Sequence, residues 1–501
     1  MRNKTKILFL LSLLLIVFSC NDPWQNHLDE YNMNQASSNL LGIIQDTPDL
    51  SQFYQLIKDA GLEDKIASSQ TTTIWAPSNS ALSNLNIDFS NQPDKLVEFV
   101  ENQMARGMYP ADPEQTPLRL KMMNGKRVMV DMANKMIDGK DITGDFNHVG
   151  TNGIVHIVDQ AIDLKPNIWE YLEKDADQNM SEVSYLNSLT GTKFIDSLAT
   201  QIGFDPVTSK PIYDTLSGTV WYNKFVNEHT DLRNEDSLFT FLLLDNSVFQ
   251  QQFDRFRPYY KLSDNDPRDP DEFTKYQVCL DLVASGKWTP EELGGVITSV
   301  DGIQLPFSRS AIEQTIEVSN GVIYKLSTCD LSLENKFPPI IIEGEDTTKV
   351  VFTGDGYTGY TRNKPLAHGG YDFVLDNHKA SPGRIVYHAG MVAATKYNFY
   401  WQAVDDFGGS YYGAAPDSLI RQKLEKVIYL PKQPLETRFP VHRTISDSLL
   451  YVVDQSYQTA ELRYAGSFTF SSYDDLWLQL VGSGNNTTLT LDYLKIVPVF
   501  E

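Results

Sequence analysis

Residues 151–164, TNGIVHIVDQAIDL, return in altered form at residues 318–331 as VSNGVIYKLSTCDL, and that return makes the chain a tandem repeat. In each copy an Asn-Gly pair (Asn152-Gly153, Asn320-Gly321) launches an alternating apolar run. In the first copy Ile154, His156 and Val158 fall on one side and Val155 and Ile157 on the other. Asn-Gly is a strong turn signal ahead of a strand. A second pair, residues 74–82 (IWAPSNSAL) and 242–249 (LLLDNSVF), reads as a strand running into a helix that starts at Asn-Ser. Asn152 to Asn320 spans 168 residues and Asn79 to Asn246 spans 167. Two separate segments recurring at nearly one offset mean that one folding unit is built twice.

At these residues the chain resembles the fasciclin (FAS1) family. Residues 73–82 follow that family's T-x-x-A-P-x-x-x-A-F pattern, and residues 152–159 its N-G-x-x-H-x-x-D pattern. The second copy has lost Pro77, His156 and Asp159, replaced by Leu244, Tyr324 and Ser327. The resemblance implies a compact β-sandwich-like wedge with helices along one side, and association with protein partners. His156 shares its strand face with Ile154 and Val158, so it is expected as a buried, hydrogen-bonded imidazole with a structural role.

The 501 residues suit about three domains. Arg2, Lys4 and Lys6 precede an apolar run over residues 7–18 that is too short to span a bilayer and ends at Ser19-Cys20. Residues 1–19 therefore read as a signal peptide. The sequence Val17-Phe18-Ser19-Cys20 resembles a bacterial lipobox, which implies acylation of Cys20 and a membrane anchor without a span. Residues 20–36, with Asp22, Asp29 and Glu30, form a polar tether that resembles the surface-export signal of Bacteroidetes lipoproteins. The address expected is the outer membrane, facing the exterior. The formal net charge of −23 disfavours nucleic acid and anionic headgroups. Cys279 and Cys329 form either a disulfide or two buried thiols. Asp-Ser-Leu at Asp196, Asp236, Asp417 and Asp447 resembles the Bacteroidetes O-glycosylation acceptor.

The expected fold class is multidomain: two α+β fasciclin-like domains followed by an all-β sandwich. The first runs over residues 37–166, with helical spacing near residues 40–44 and 53–57, a strand at 72–76, a helix at 95–105 and strands at 127–132 and 153–158. The second, divergent one runs over residues 167–342. Ser181 answers Ser51 at an offset of 130, against 167 and 168 later, so this copy carries an insertion of about 37 residues near 196–234, expected as a loop. From 343 to 501 nine short β-rich runs recur between Gly-rich turns, the signature of a sandwich or barrel. The ending Leu491-Asp492-Tyr493-Leu494-Lys495-Ile496-Val497-Pro498 resembles the last strand of jelly-roll carbohydrate-binding modules.

The sequence holds no H-E-x-x-H, G-x-S-x-G, Walker loop or C-x-x-C. Residues 354–359, GDGYTG, match G-x-G-x-x-G, but the following YTRNKP is no helix start, so a glycine-rich turn is expected. The acidic run at 264–272 lacks the central glycine of a calcium loop and reads as solvated. His368, His378 and His388 lack zinc spacing. No catalytic residue, metal or cofactor is nominated.

A sugar-binding protein would use aromatic faces for stacking on C–H groups, with polar side chains beside them. Alternation places Trp401 with Phe399 in the core and Tyr400 with Asn398 and Gln402 on the other face, and it points Trp477 away from Leu476 and Leu478. Tyr411 and Tyr412, and Tyr357, Tyr360 and Arg362, lie on expected turns. These seven residues are the glycan-binding candidates. The function expected is a non-catalytic surface lipoprotein that binds polysaccharide or oligosaccharide and accompanies an outer-membrane transporter, resembling lipoproteins of SusC/SusD systems. The alternative is adhesion or protein assembly through the fasciclin-like domains. A hydrolase would need a carboxylate pair facing one cleft, and none stands out.

Overall fold

In the computed structural model the described residues are 36–346 (apart from 69–70, 86–88 and 90), 348, 350–352, 358–365, 367–376, 384–402, 424–431, 443–446, 463–482 and 489–500. The chain forms two compact units, one of Met1–Ala176, Asp231–Phe239 and Glu317–Ile323, the other of Asp177–Thr230, Thr240–Ile316 and Tyr324–Glu501. These units cut across the expected 37–166, 167–342 and 343–501 division. Among the described residues no helix is long and apolar enough to cross a membrane.

In the first unit, a four-stranded sheet runs in the order Met104–Arg106, Thr72–Pro77, Gly153–Val158, Gly144–Gly150. The two middle strands are parallel, Thr72 beside Gly153 and Pro77 beside Val158. Both of their faces are covered, which is why they read as near-continuous apolar runs. Ile74, Ala76 and Val155 pack with Phe53, Ile57 and Phe99 from the helices Ser51–Asp59 and Pro93–Asn102. Trp75 and Val158 face a second core with Val128, Val130 and Met132. The helix expected at 95–105 instead spans Pro93–Asn102, and Met104–Arg106 has become the sheet's edge strand. A tertiary contact ends the helix: Asn102 Nδ2 and Gln103 Nε2 donate to the Ile162 carbonyl at 3.3 and 3.0 Å.

Gly153 and Gly321 occupy equivalent places. A Cβ on Gly153 would lie 1.9 Å from the Thr72 carbonyl oxygen, and one on Gly321 1.9 Å from that of Phe239. Only glycine permits so close a backbone approach. The expected strand-to-helix unit is present twice, as Thr72–Pro77 into Asn79–Ser83 and Phe239–Leu244 into Asn246–Phe256. Thr73 Oγ1 donates to Gly107 O at 2.9 Å, and Thr240 Oγ1 to Gly286 O at 2.8 Å. The same bond therefore survives in both copies.

In the second unit, the insertion near 196–234 is not a structureless loop. Thr190–Phe194 pairs with Thr219–Asn223, and Gln201–Phe204 pairs with Pro211–Tyr213. This arm exposes Phe194, Leu198, Ile202, Phe204, Val207, Ile212 and Leu216, with Val207 and Leu216 at 89 % and 87 %. Cys279 and Cys329 are buried free thiols, and burial pushes that of Cys329 up to about 11.

The C-terminal part of this unit contains a sheet in the order Ile340–Glu343, Tyr493–Val499, Lys396–Gln402, Arg463–Thr469 and another in the order Val350–Phe352, Arg384–Val392, Asp474–Gly482, Leu424–Pro431, Arg443–Ser446. Inward residues of both, among them Tyr397, Phe399 and Trp401 from one and Tyr387, Leu476 and Leu478 from the other, share one core. The strand Ile340–Glu343 pairs with Tyr493–Val499, so the sheet begins before residue 343. The closing β-rich segment is broken at Asp492 into Leu489–Leu491 and Tyr493–Val499, and several of the nine expected runs lie partly or wholly outside the described residues. An aromatic cluster joins this part to the second repeat: Tyr260 lies 5.1 Å from Tyr473 and 5.3 Å from Phe337, and Tyr259 lies 5.4 Å from Phe500.

Candidate functional site

Along Asp474–Gly482 the side chains alternate, with Leu476 and Leu478 buried in the shared core and Asp475 and Trp477 on the outer face. His388, on the neighbouring strand, stands directly opposite Trp477. Their rings stack at 4.2 Å with 17° between planes. Asp475 ties both down, accepting from Trp477 Nε1 at 2.8 Å and meeting His388 Nε2 at 2.6 Å. His388 and Asp475 remain 39 % and 27 % exposed. The result is a half-exposed aromatic plate beside a carboxylate, already fixed in orientation. Such a plate loses little side-chain entropy when a ligand settles on it.

Tyr400 also takes the outer face of its strand, with Asn398 and Gln402, while Tyr397, Phe399 and Trp401 are buried, as alternation predicts. That strand belongs to the other sheet. Since the two sheets share the core between them, Tyr400 and Trp477 look outward on opposite sides and cannot touch one ligand unit together.

Tyr360 and Arg362 lie on the strand Thr358–Asn363 rather than on a turn. Tyr360 is half-buried. The Arg362 guanidinium is committed to the fully buried Asp372, with Nε donating to Oδ1 at 2.9 Å and Nη2 to Oδ2, which makes it a structural counter-ion. Tyr357, Tyr411, Tyr412 and the lipidation candidate Cys20 lie outside the described residues. Of the candidates among the described residues, Tyr360 and Arg362 share one face of their strand, whereas Tyr400 and Trp477 belong to different sheets; beside Trp477 the structure supplies His388 and Asp475. The Asp-x-Trp spacing on one strand face was the only sequence trace of that group.

Beside the sandwich core, buried Asp492 accepts the His368 amide at 3.0 and 3.1 Å and the Gln402 Nε2 at 2.8 Å, and burial pushes its carboxyl up to about 6. His368 Nδ1 meets Glu343 Oε1 at 2.6 Å. Among the described residues no group of three or more His, Cys, Asp or Glu side chains is arranged to hold a metal. In the acidic run, Asp269 caps the helix Pro270–Leu280 by accepting from the Asp271 and Glu272 amides, and Asp266 pairs with Arg268. These are local structural roles.

His156 is fully buried. Its Nδ1 accepts from the Asn147 amide at 3.2 Å, which leaves Nε2 to donate to Tyr109 O at 2.9 Å. Burial lowers its pKa to about 4, so the ring is neutral. In the second copy Tyr324 Oη donates to Trp288 O at 2.9 Å and fills the same office. The imidazole is a structural strut.

Residues 48–164 match the fasciclin domain family model. No curated protein matches the chain. Among solved structures the chain is similar to a FAS1 domain pair from the insect cell adhesion molecule fasciclin I, at 15 % identity and TM-score 0.23, over 57 % of this chain and 98 % of that one. It is also similar to a family 35 carbohydrate-binding module from Clostridium thermocellum (12 % identity, TM-score 0.20, 32 % of this chain and 98 % of that one). A third likeness is to the CBM22-1 xylan-binding domain of Paenibacillus barcinonensis Xyn10C (11 % identity, TM-score 0.24, 32 % and 94 %). Scores this low say nothing of what this chain binds. With the family match and the strand-to-helix and Asn-Gly motifs on the same residues, the chain carries a fasciclin domain at 48–164.

Proposed function

We propose that the chain is a non-catalytic lipoprotein, anchored through acylated Cys20 in the outer membrane and facing outward, which captures glycan for a SusC/SusD-type uptake system. The observation that carries this reading is the half-exposed Trp477 ring, stacked on His388 and held by Asp475. A sugar ring presents C–H groups to such a plate and hydroxyls to the carboxylate beside it. The test is binding of the full chain, purified in detergent, to a panel of plant, microbial and host polysaccharides. Trp477→Ala is expected to weaken binding by about tenfold or more with an unchanged melting temperature. If no polysaccharide binds, or if Trp477→Ala only lowers the melting temperature, the reading is wrong.

A second reading, adhesion or protein assembly, is favoured by the fasciclin domain at 48–164 and by the seven exposed apolar side chains of the arm. Several large apolar side chains left exposed on one arm are a feature of protein interaction sites. On that reading polar substitutions in the arm, and not Trp477→Ala, remove the interaction.

A further inference from the structure

A cleft of about 730 Å³ opens in the fasciclin domain, and its lining includes Lys65, Arg106, Lys121, Tyr109, Met122 and Met123. Its volume is that of a site for a small ligand. Three cations meet there in a chain of formal net charge −23. Lys65 is paired with Glu101, but Arg106 and Lys121 are exposed and make no ion pair among the described residues. The overall negative charge does not cancel them, because screening at about 0.1 M salt confines each charge's influence to about 10 Å.

The cleft also has a fixed aromatic wall. The half-buried Tyr109 ring stacks on Trp75 at 6.4 Å and 19°, and it lies so close over Gly107 that a Cβ there would come within 2.9 Å of Tyr109 Oη. The edge strand Met104–Arg106 beside it is already occupied, since the Met123 amide donates to Met104 O at 2.8 Å and Ala105 bridges Met122. A peptide therefore has no free strand edge there to extend.

We infer that this cleft binds an acidic sugar, a ring of one or two units whose carboxylate or sulfate meets Arg106 and Lys121 while its C–H face lies on Tyr109. The arginine fork matches either oxyanion, and the two unpaired cations supply affinity that salt weakens. The site is independent of Trp477.

The test is calorimetric titration of the full chain in detergent with four probes: digalacturonate, a sulfated chondroitin disaccharide, neutral lactose and tetraglutamate. At least one acidic sugar binds, more weakly as salt is raised, and lactose does not; which of the two binds tells carboxylate from sulfate. Arg106→Gln and Lys121→Gln each weaken that binding by about tenfold, with the melting temperature unchanged. Trp477→Ala leaves it unchanged. The inference is overturned if neither acidic sugar binds, if lactose or tetraglutamate binds as tightly, if both glutamine variants bind normally, or if Trp477→Ala removes the binding.

Discussion

Asn152 Oδ1 accepts the backbone amide of Leu40 at 2.9 Å, and in the second copy Asn320 Oδ1 accepts that of Ile168 at the same distance. The other end of each amide is also used: Asn152 Nδ2 donates to Ile66 O at 2.9 Å, and Asn320 Nδ2 to Leu232 O at 2.8 Å. The Asn of each Asn-Gly pair thus ties the sheet to the first helix of its repeat, while the Gly lets two backbones meet. Asn320 is fully buried. Replacing it by Ala strands the Ile168 amide and the Leu232 and Asn234 carbonyls, so Asn320→Ala is expected to cost about 1–3 kcal/mol in urea unfolding, and half-buried Asn152→Ala less. Gly153→Ala places its methyl against the Thr72 carbonyl and is expected to cost more than Asn152→Ala.

Two buried ionisable groups give stability opposite pH dependences. His156 titrates at about 4 when folded, below the ordinary 6.5, because it is buried. The unfolded chain binds the extra proton, so this contribution, about 3 kcal/mol, is complete above pH 6.5 and lost as pH falls toward 4. Burial of Glu182 raises its carboxyl to about 8 from 4.5. Here the folded chain holds the extra proton, and stability is lost as pH rises from 4.5 to 8. The protection factor of the Val155 amide, its exchange rate taken relative to the intrinsic rate at each pH, should fall on acidification, and that of Leu244, whose amide donates to Glu182 Oε2 at 2.8 Å, should fall on alkalinisation. Glu182→Gln should remove the second effect and leave the first; if the Leu244 protection factor still falls on alkalinisation, the assignment to Glu182 is wrong.

The repeat was legible because its signals are local. Asn-Gly, the strand-to-helix run and the alternation that hides Trp401 and turns Tyr400 outward all depend on neighbours within a few residues. His156 was legible for the same reason, lying between Ile154 and Val158. What could not be read depends on distant partners. Alternating apolar residues in the arm look like those of a buried strand, and nothing in the sequence says that they are uncovered. Arg362, a glycan-binding candidate in the sequence, is held by Asp372 on the neighbouring strand, ten residues on. The helix expected to reach Ala105 stops at Asn102 because carbonyls sixty residues on take up the next side chains. His388 is placed against Trp477 by strand pairing, which no local pattern encodes.

Lys336 and Asp281 form a buried ion pair, their side chains only 4 % and 3 % exposed. Lys336 Nζ also donates to Gln277 O at 2.9 Å and lies 5.6 Å from the centre of the Tyr260 ring. Burial pushes the Asp281 carboxyl up even with the cation beside it. Removing one partner leaves an uncompensated charge, so Lys336→Met is expected to cost about 3–5 kcal/mol. The double variant with Asp281→Leu should recover most of that loss. If the double variant is no more stable than Lys336→Met, the cost came from packing around Tyr260 and not from the stranded carboxylate.

The arm tests whether exposed apolar surface serves binding or folding. Phe204 is 66 % exposed, Val207 89 % and Leu216 87 %, so none contributes a core contact whose loss would unfold the unit. A triple variant, Phe204→Ser, Val207→Asp and Leu216→Ser, should change unfolding free energy by no more than about 0.5 kcal/mol per site, the ordinary range for surface positions. It should also reduce the fluorescence of a hydrophobic dye bound to the native chain, since it removes uncovered apolar area. If the adhesive reading holds, the same variant loses attachment to intact cells while its binding of polysaccharide stays normal. A large drop in stability would mean instead that these side chains pack on one another, and the arm would then be a structural appendage with no surface to offer.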